Sequence, residues 1–410
     1  MGSAIRVGET RIEVDEYLEA PARLEEALGR VRQMGGHAEC ECVQPARKLV
    51  VRRLGARHIL AVWPDDGPSH AFACPFYREE HDGLASSMAE GLAADQPPPL
   101  LVDFPLERRS ALPRKPPAEP STSAGDVTAQ RGDDAKRLSL AALLELVWLR
   151  SRLNCWAAGW KRDWWRVRRE LYRVAQDTHV GGRRLDELLY VPLPFRRDAE
   201  RKDAVDREWQ QLMTDLEPRD GVVPRRLILT EVKALSKAAF GYKLELRNLP
   251  WPVYLQREQW EHLQARYARA LMGVSHKSEP PLKLVGLLLV EAAANGKHYF
   301  SLCDAALLMT SEHWIPCHTT AELRLADHLV DQARAFTRPM GADEAAPAIP
   351  DFWMHDAGEP RPTALEVLGV DAVPYRERKL RRVSALREAG HPVWIWDTTR
   401  GEIPSLPPRA

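Results

Sequence analysis

Leu24, Leu28 and Val31 recur at helical spacing within residues 20–34, and Gly35-Gly36 ends the run, so the pattern predicts a helix there. Residues 48–54 and 57–63 are rich in β-branched side chains around Gly55 and predict a hairpin. Ser139 stands where it caps a leucine-rich helix reaching about residue 153. Residues 154–159 interrupt it, and a second helix is expected over 161–176. Between residues 225 and 315 the stretches LILTEVKAL, YKLELRNL, LKLVGLLLVEA and HYFSLCDAALLM read as strands, with one helix over 256–272 among them. From 319 to 399 the pattern reads helix, strand, strand, helix, strand. Leu325, Leu329, Ala333 and Phe336 share the stripe of the first of these helices, over 322–336.

Composition divides the chain further. Residues 108–136 are rich in proline, serine, alanine and charge (PRKPPAEPSTSAGD) and cannot bury enough apolar surface to order themselves. The expected division is an N-terminal domain over 1–103 and a disordered linker over 104–137. A helical basic segment follows over 138–200 and a strand-rich middle domain over 201–317. A compact end spans 318–400, with a tail over 401–410. The fold class expected is multidomain α+β. No run of eighteen uncharged apolar residues occurs, so no membrane span is expected and a cytoplasmic protein is the default.

Lys plus Arg and Asp plus Glu number 58 each, so net charge points to no partner; its distribution does more. Residues 150–173 hold eight basic and two acidic side chains, net +6, and residues 375–390 hold six and two, net +4. On the helix over 161–176, Trp164, Val167, Leu171 and Val174 form the apolar face. Arg162, Arg166, Arg169 and Arg173 form a cationic stripe opposite. Such a stripe suits phosphate contacts, and two helices with a short break resemble a helix-turn-helix, so DNA is the expected partner. The competing reading is a solvated face, with the tryptophans in the core.

Cys40-x-Cys42 is followed, after the predicted hairpin, by His70-x-x-x-Cys74. Two short ligand pairs flanking a hairpin can supply the four N/S ligands of a structural zinc ion. The alternative is unrelated cysteines and a turn-capping histidine. His37, His58 and His81 are less well spaced and read as surface residues.

The C-terminal block carries an acidic constellation. Asp351 stands at the start of one expected strand (IPDFWM), and Glu366 falls fifteen residues later within another (ALEVL). Strand registry can bring the two carboxylates side by side, as a hard Mg²⁺ ion requires. Glu322 lies on the inward stripe of the preceding helix. Lys379, four residues after Tyr375 and four before Val383, lies on the inward stripe of the following one. This order of elements and residues resembles PD-(D/E)-x-K nuclease-like domains, with a restriction-endonuclease-like α/β fold. The resemblance implies Asp351 and Glu366 as Mg²⁺ ligands and Glu322 as the accessory acid of the first helix. The motif lysine is missing, because position 368 is leucine; Lys379, from the following helix, is placed to supply it.

The chain as a whole resembles DUF1173, a bacterial family of unknown function carried by integrative and conjugative elements. The match lies in the C-x-C…H-x-x-x-C start, SLAALLELVWLRSRLNCW, the PLPF segment, the EVK…FGYKL…LP strands and EHWIPCHTTAE. It implies a DNA-associated accessory role on mobile DNA, with element-encoded protein partners. The chemistry expected of that accessory protein, if its site is active, is Mg²⁺-dependent phosphodiester hydrolysis. The alternative is an inactive nuclease-fold factor that binds DNA or protein.

Overall fold

The structure is a computed structural model and describes residues 4–54, 57–64, 66–77, 100–109, 137–194, 199–276, 279–293, 297–340, 349–358, 361–369 and 372–410. Most of the expected linker, and His81, lie outside these residues. The chain is α+β. It forms two compact units, both discontinuous in sequence: Met1–Pro98 with Asn154–Lys161 and Leu325–Ala410, and Pro99–Leu153 with Arg162–Arg324. Among the described residues no helix is long and apolar enough to cross a membrane.

In the N-terminal part, β1 (Ala4–Val7) and β2 (Thr10–Glu13) make a hairpin whose Ile5, Val7 and Ile12 face the core. α1 (Val14–Glu19) leads into α2 (Glu25–Gln33) through a separate 3-10 turn opened by Pro21. Leu24, Leu28 and Val31 are buried, as their spacing predicts. β3 (Ala38–Cys40), β4 (Arg47–Leu54) and β5 (Arg57–Val62) complete an antiparallel sheet in the order β2-β1-β3-β4-β5.

The middle of the chain begins with β6 (Glu107–Arg109) and α3 (Leu140–Arg150), whose cap is Ser139: its hydroxyl accepts from the Ala142 amide at 3.2 Å. After β7 (Cys155–Trp156) comes α4 (Trp164–Gln176), capped by Asp163. The link between these helices is not the tight turn of a helix-turn-helix. It holds β7, which pairs with a strand about 180 residues later, Phe336–Thr337. β8 (His179–Val180), β9 (Arg183–Arg184) and β10 (Leu189–Tyr190) follow. α5 (Ala199–Asp215) is a helix that the hydrophobic pattern does not announce, because most of its positions are polar. Its Trp209 packs edge-on against Trp251 at 5.1 Å.

A barrel follows. β11 (Val222–Pro224) pairs with β6, and β12 (Arg226–Ala238) with β13 (Gly241–Leu246). Then come β14 (Val253–Leu255), α6 (Arg257–His276), β15 (Lys283–Ala292) and β16 (Phe300–Thr310). Each of β12, β13, β14, β16 and β15 bonds to the next, and β15 bonds back to β12, so the five strands close. Closure removes the free edges that an open sheet would expose. Leu244, Leu246, Val253, Leu255 and Phe300 are buried on alternate positions.

The C-terminal part contains α7 (Thr320–Asp331), β17 (Phe336–Thr337), β18 (Phe352–Met354), β19 (Thr363–Leu368), α8 (Val373–Glu388) and β20 (Val393–Asp397). The first helix is shorter than the expected 322–336. The chain turns at Ala333, where φ is +52°, and Phe336 enters a strand. The sheet runs β20-β19-β18-β17-β7, with β19 and β20 parallel across α8 and the other pairs antiparallel.

Candidate functional site

Two clusters of chemically active side chains stand out, both in the first unit. The first is built on β18, β19 and α8. The antiparallel register pairs Phe352 with Leu365, and one step further it sets Asp351 opposite Glu366. Lys379 reaches in from α8. Its Nζ donates to Asp351 Oδ1 and Oδ2 at 2.6 and 2.5 Å and to Glu366 Oε2 at 2.8 Å. The backbone amide of Val367 donates to Asp351 Oδ2 at 2.8 Å. Arg382, one helical turn beyond Lys379, holds Nη1 3.6 Å from Asp351 Oδ1 and 3.7 Å from Glu366 Oε1. Asp351, Glu366 and Lys379 are buried, Glu366 completely.

Burial pushes the Glu366 carboxyl up to about 7, and the neighbouring Asp351 charge adds to the rise; Lys379 and Arg382 work against it. Lys379 loses from burial but gains more from the two carboxylates, so its ammonium is held above the ordinary lysine range. Glu366 Oε1 is buried with no hydrogen-bond partner. Arg382 is the member of this cluster that sequence reasoning missed, although its three-residue offset from Lys379 puts both on one helix face.

Glu322 has a different local role. Its carboxylate accepts from the His318 amide at 3.0 Å and the Thr319 hydroxyl at 3.2 Å, while Thr319 Oγ1 accepts from the Glu322 amide at 3.1 Å. That is a capping box at the start of α7, and Thr319-x-x-Glu322 is its signature in the sequence.

The second cluster joins β3 to the turns after β5. Cys40 ends β3, Cys42 follows it, and His70 and Cys74 lie in successive turns. The candidate ligand atoms of all four lie within 4.8 Å of one another. Cys40 Sγ is 3.6 Å from Cys74 Sγ, and His70 Nδ1 is 3.2 Å from Cys42 Sγ and 3.8 Å from Cys74 Sγ. The sulfurs are too far apart for a disulfide, and the cysteines are free. Bonds from Cys40 and Cys74 hold the Cys42 thiol far below its ordinary value, and the bonds to Cys42 and Cys74, with burial, push Cys40 up. This set can hold a metal ion, and among the described residues it is the one group of three or more His, Cys, Asp or Glu that can. Between its ligands, Phe72 stacks on His355 at 4.2 Å, just past β18.

The arginine stripe of α4 is not an open row. Arg162 turns inward and donates to the Leu153 and His313 carbonyls at 2.9 Å. Arg169 and Arg173 both grip Glu170, at 3.1 and 3.0 Å. Burial alone would raise the Glu170 carboxyl, but Arg173 and Arg169 hold it below its ordinary value. Arg166 is half-buried. His58 bonds Glu25 at 2.8 Å, and His37 packs edge-on to Trp63 at 5.8 Å.

Fold and clusters together define an α+β protein of two compact units with a Cys₃His set able to take a metal and a buried acid–lysine cluster. The chain belongs to the family described as "Protein of unknown function (DUF1173)", whose model matches residues 11–399. No curated protein and no solved structure matches it.

Proposed function

We propose that this chain is a cytoplasmic, DNA-associated accessory protein of a mobile or conjugative element, and that its C-terminal part is a nuclease-like phosphodiester hydrolase. The observation that carries the reading is the contact of Lys379 Nζ with both Asp351 and Glu366, at 2.5–2.8 Å. An amine from the next helix thereby stands in for the lysine that Leu368 replaces. The helix-strand-strand-strand-helix-strand order from α7 to β20 supports the same resemblance.

Asp351 and Glu366 fit a divalent cation such as Mg²⁺: two facing carboxylates, one with a buried oxygen that nothing bonds. Bound there, the ion would supply Lewis-acid charge and an activated water. The chain's own groups account for the rest. Lys379 and Arg382 balance the two carboxylates as they stand. A divalent ion leaves the cluster with an excess of positive charge, which a phosphodiester backbone neutralises. Lys379 would then hold the attacking water by its ammonium, and Arg382 would face the phosphate.

The test is cleavage of single- and double-stranded DNA in Mg²⁺ or Mn²⁺ by wild type, Asp351→Asn, Glu366→Gln and Lys379→Met. Each substitution is expected to lower the rate by about 100-fold or more. Equal rates in all four, or no cleavage by wild type, would sink the hydrolase. The second reading, an inactive nuclease-fold factor that binds DNA or an element-encoded protein, is favoured by the tightness with which Lys379 closes the two carboxylates.

For the Cys₃His set we infer a structural zinc ion. Zn–S bonds of about 2.3 Å place tetrahedral sulfurs roughly 3.8 Å apart, close to the 3.6 Å between Cys40 and Cys74. Four protein ligands leave no open coordination position. Elemental analysis is expected to find one zinc per chain in protein purified without chelator, and none in a Cys40→Ser, Cys74→Ser double variant.

A further inference from the structure

The barrel of the second unit has a topology that bears on ligand binding. Its closed order β12-β13-β14-β16-β15, its parallel β14–β16 pair and the helix α6 between β14 and β15 follow the OB barrel. Such barrels bind oligonucleotides or oligosaccharides across the outer face of their second and third strands and the loops beside it. Here that face is β13 and β14, flanked by the β12–β13 turn and the β15–β16 connection. Fold alone assigns no ligand; the side chains on this face do.

Leu244, Leu246, Val253 and Leu255 point into the barrel, so Lys243 and Tyr254, which alternate with them, point out. Lys243 lies directly opposite Tyr254 in the register. Tyr254 is 37% exposed, and Tyr299 meets it edge-on at 5.0 Å. Lys297 is exposed two residues before Tyr299. At the β12–β13 turn Phe240 is 98% exposed. The turn is held against the end of β14: Gly241 has φ +127°, and a Cβ there would meet Leu255 O at 2.3 Å. Lys233 is exposed on the outgoing strand; Lys237, also exposed, pairs with Tyr242 and so lies on the side of Leu244. Residues 233–245 carry three lysines and one acid, Glu245, which pairs with Lys243 at 2.7 Å, so the hairpin is net +2.

We propose that this face binds single-stranded polynucleotide, with bases stacked on Phe240 and Tyr254 and phosphates held by Lys233, Lys243 and Lys297. Sequence-tolerant strand binding takes this combination of aromatic platforms along a cationic track. A neutral oligosaccharide would leave the lysines without a partner. A lipid surface is less suited, because one protruding phenylalanine buries too little to anchor a protein.

Binding rests on residues separate from the acid–lysine cluster, and it is measured with full-length Asp351→Ala protein in EDTA, so its outcome is independent of cleavage. The readout is fluorescence anisotropy with labelled oligo(dT), oligo(U) and a duplex of equal length, the first two separating DNA from RNA. Single strands are expected to bind more tightly than duplex. Phe240→Ala should weaken binding about tenfold. A Lys233→Glu, Lys297→Glu pair should weaken it further and flatten its salt dependence by roughly 0.7 in slope per lost phosphate contact. Phe240 is too exposed for its loss to disturb folding, which circular dichroism checks. The proposal is overturned if single strands do not bind at low salt, if duplex binds as well or better, or if the variants bind like the parent. It is equally overturned if phosphatidylserine vesicles, and not oligonucleotides, show the Phe240 dependence.

Discussion

Lys379 Nζ lies 2.8 Å from Glu366 Oε2, inside a helix-strand interface where Glu366 is fully buried and Lys379 nearly so. A buried lysine on an otherwise polar helix needs such a partner, since an unpaired ammonium would be driven to neutrality. Replacing it by methionine keeps the volume but leaves Asp351 and Glu366 facing each other with only the more distant Arg382 as counter-charge. Lys379→Met is expected to destabilise the first unit by about 3–5 kcal/mol in metal-free buffer, read as a lower denaturant midpoint. A Lys379→Met, Glu366→Gln double variant should recover part of that loss. No recovery would show that the two side chains are not coupled.

The same pair sets a pH dependence. The folded protein holds the Glu366 proton more tightly than the unfolded chain does, because burial and Asp351 raise its pKa to about 7. Where the native state binds more protons, stability falls as pH rises. Glu366 therefore stabilises below its unfolded pKa of about 4.3, and that contribution is lost as pH climbs through about 7. The loss is at most about 4 kcal/mol. Lys379, raised instead, changes charge only well above this window. Unfolding midpoints of metal-free protein between pH 4.5 and 8 are expected to show the decline, and Glu366→Gln to flatten it.

Glu322 lets an acid in a capping box be tested against the proposed site. Its carboxylate closes a capping box with Thr319, and removing a cap costs about 1 kcal/mol. Glu322→Ala is expected to lower thermal stability by that amount and to leave Mg²⁺-dependent cleavage unchanged. A loss of cleavage as large as that of Asp351→Asn would return Glu322 to the site.

What the sequence made legible follows range. The Ser139 cap, the inward lysine of α8 and the Cys/His spacing are local signals, readable within a few residues. Phe336 shows the limit: it continues the helical spacing of Leu325 and Leu329, but the positive φ at Ala333 breaks the helix and frees it for β17. Its partner across the sheet, Trp156, is 180 residues away, and no local pattern encodes that pairing. Arg162 departs from the expected stripe for a related reason, and it precedes the helix, which starts at Trp164. Periodicity places Arg162 on an outer face, but the carbonyls of Leu153 and His313, which it meets in space, draw it inward. Barrel closure was likewise unreadable, since strand order is a tertiary property and β12 bonds to both β13 and β15.

Arg162 offers a test of that last distinction. Its guanidinium bonds three carbonyls, of Leu153, His313 and Arg152, and buried acceptors without a donor cost roughly 1–3 kcal/mol. Arg162→Ala is expected to lower stability in that range and to leave oligonucleotide affinity at low salt unchanged. A fall in affinity at unchanged stability would restore the phosphate-contact role.

The metal-capable set should govern more than its own loop. Cys40 and Cys74 belong to the apolar core of the N-terminal sheet, so a metal there fixes the turns that carry His70 and Cys74. Phe72, between those ligands, stacks on His355, whose Nε2 bonds Thr337 Oγ1 at 2.9 Å in β17. Chelator treatment is therefore expected to raise amide exchange in residues 66–77 first, and then in β17 and β18 through the lost stack. Phe72→Ala with metal bound should raise exchange only in the second set. Exchange in β17 and β18 that ignores both treatments would show that the stack carries no coupling.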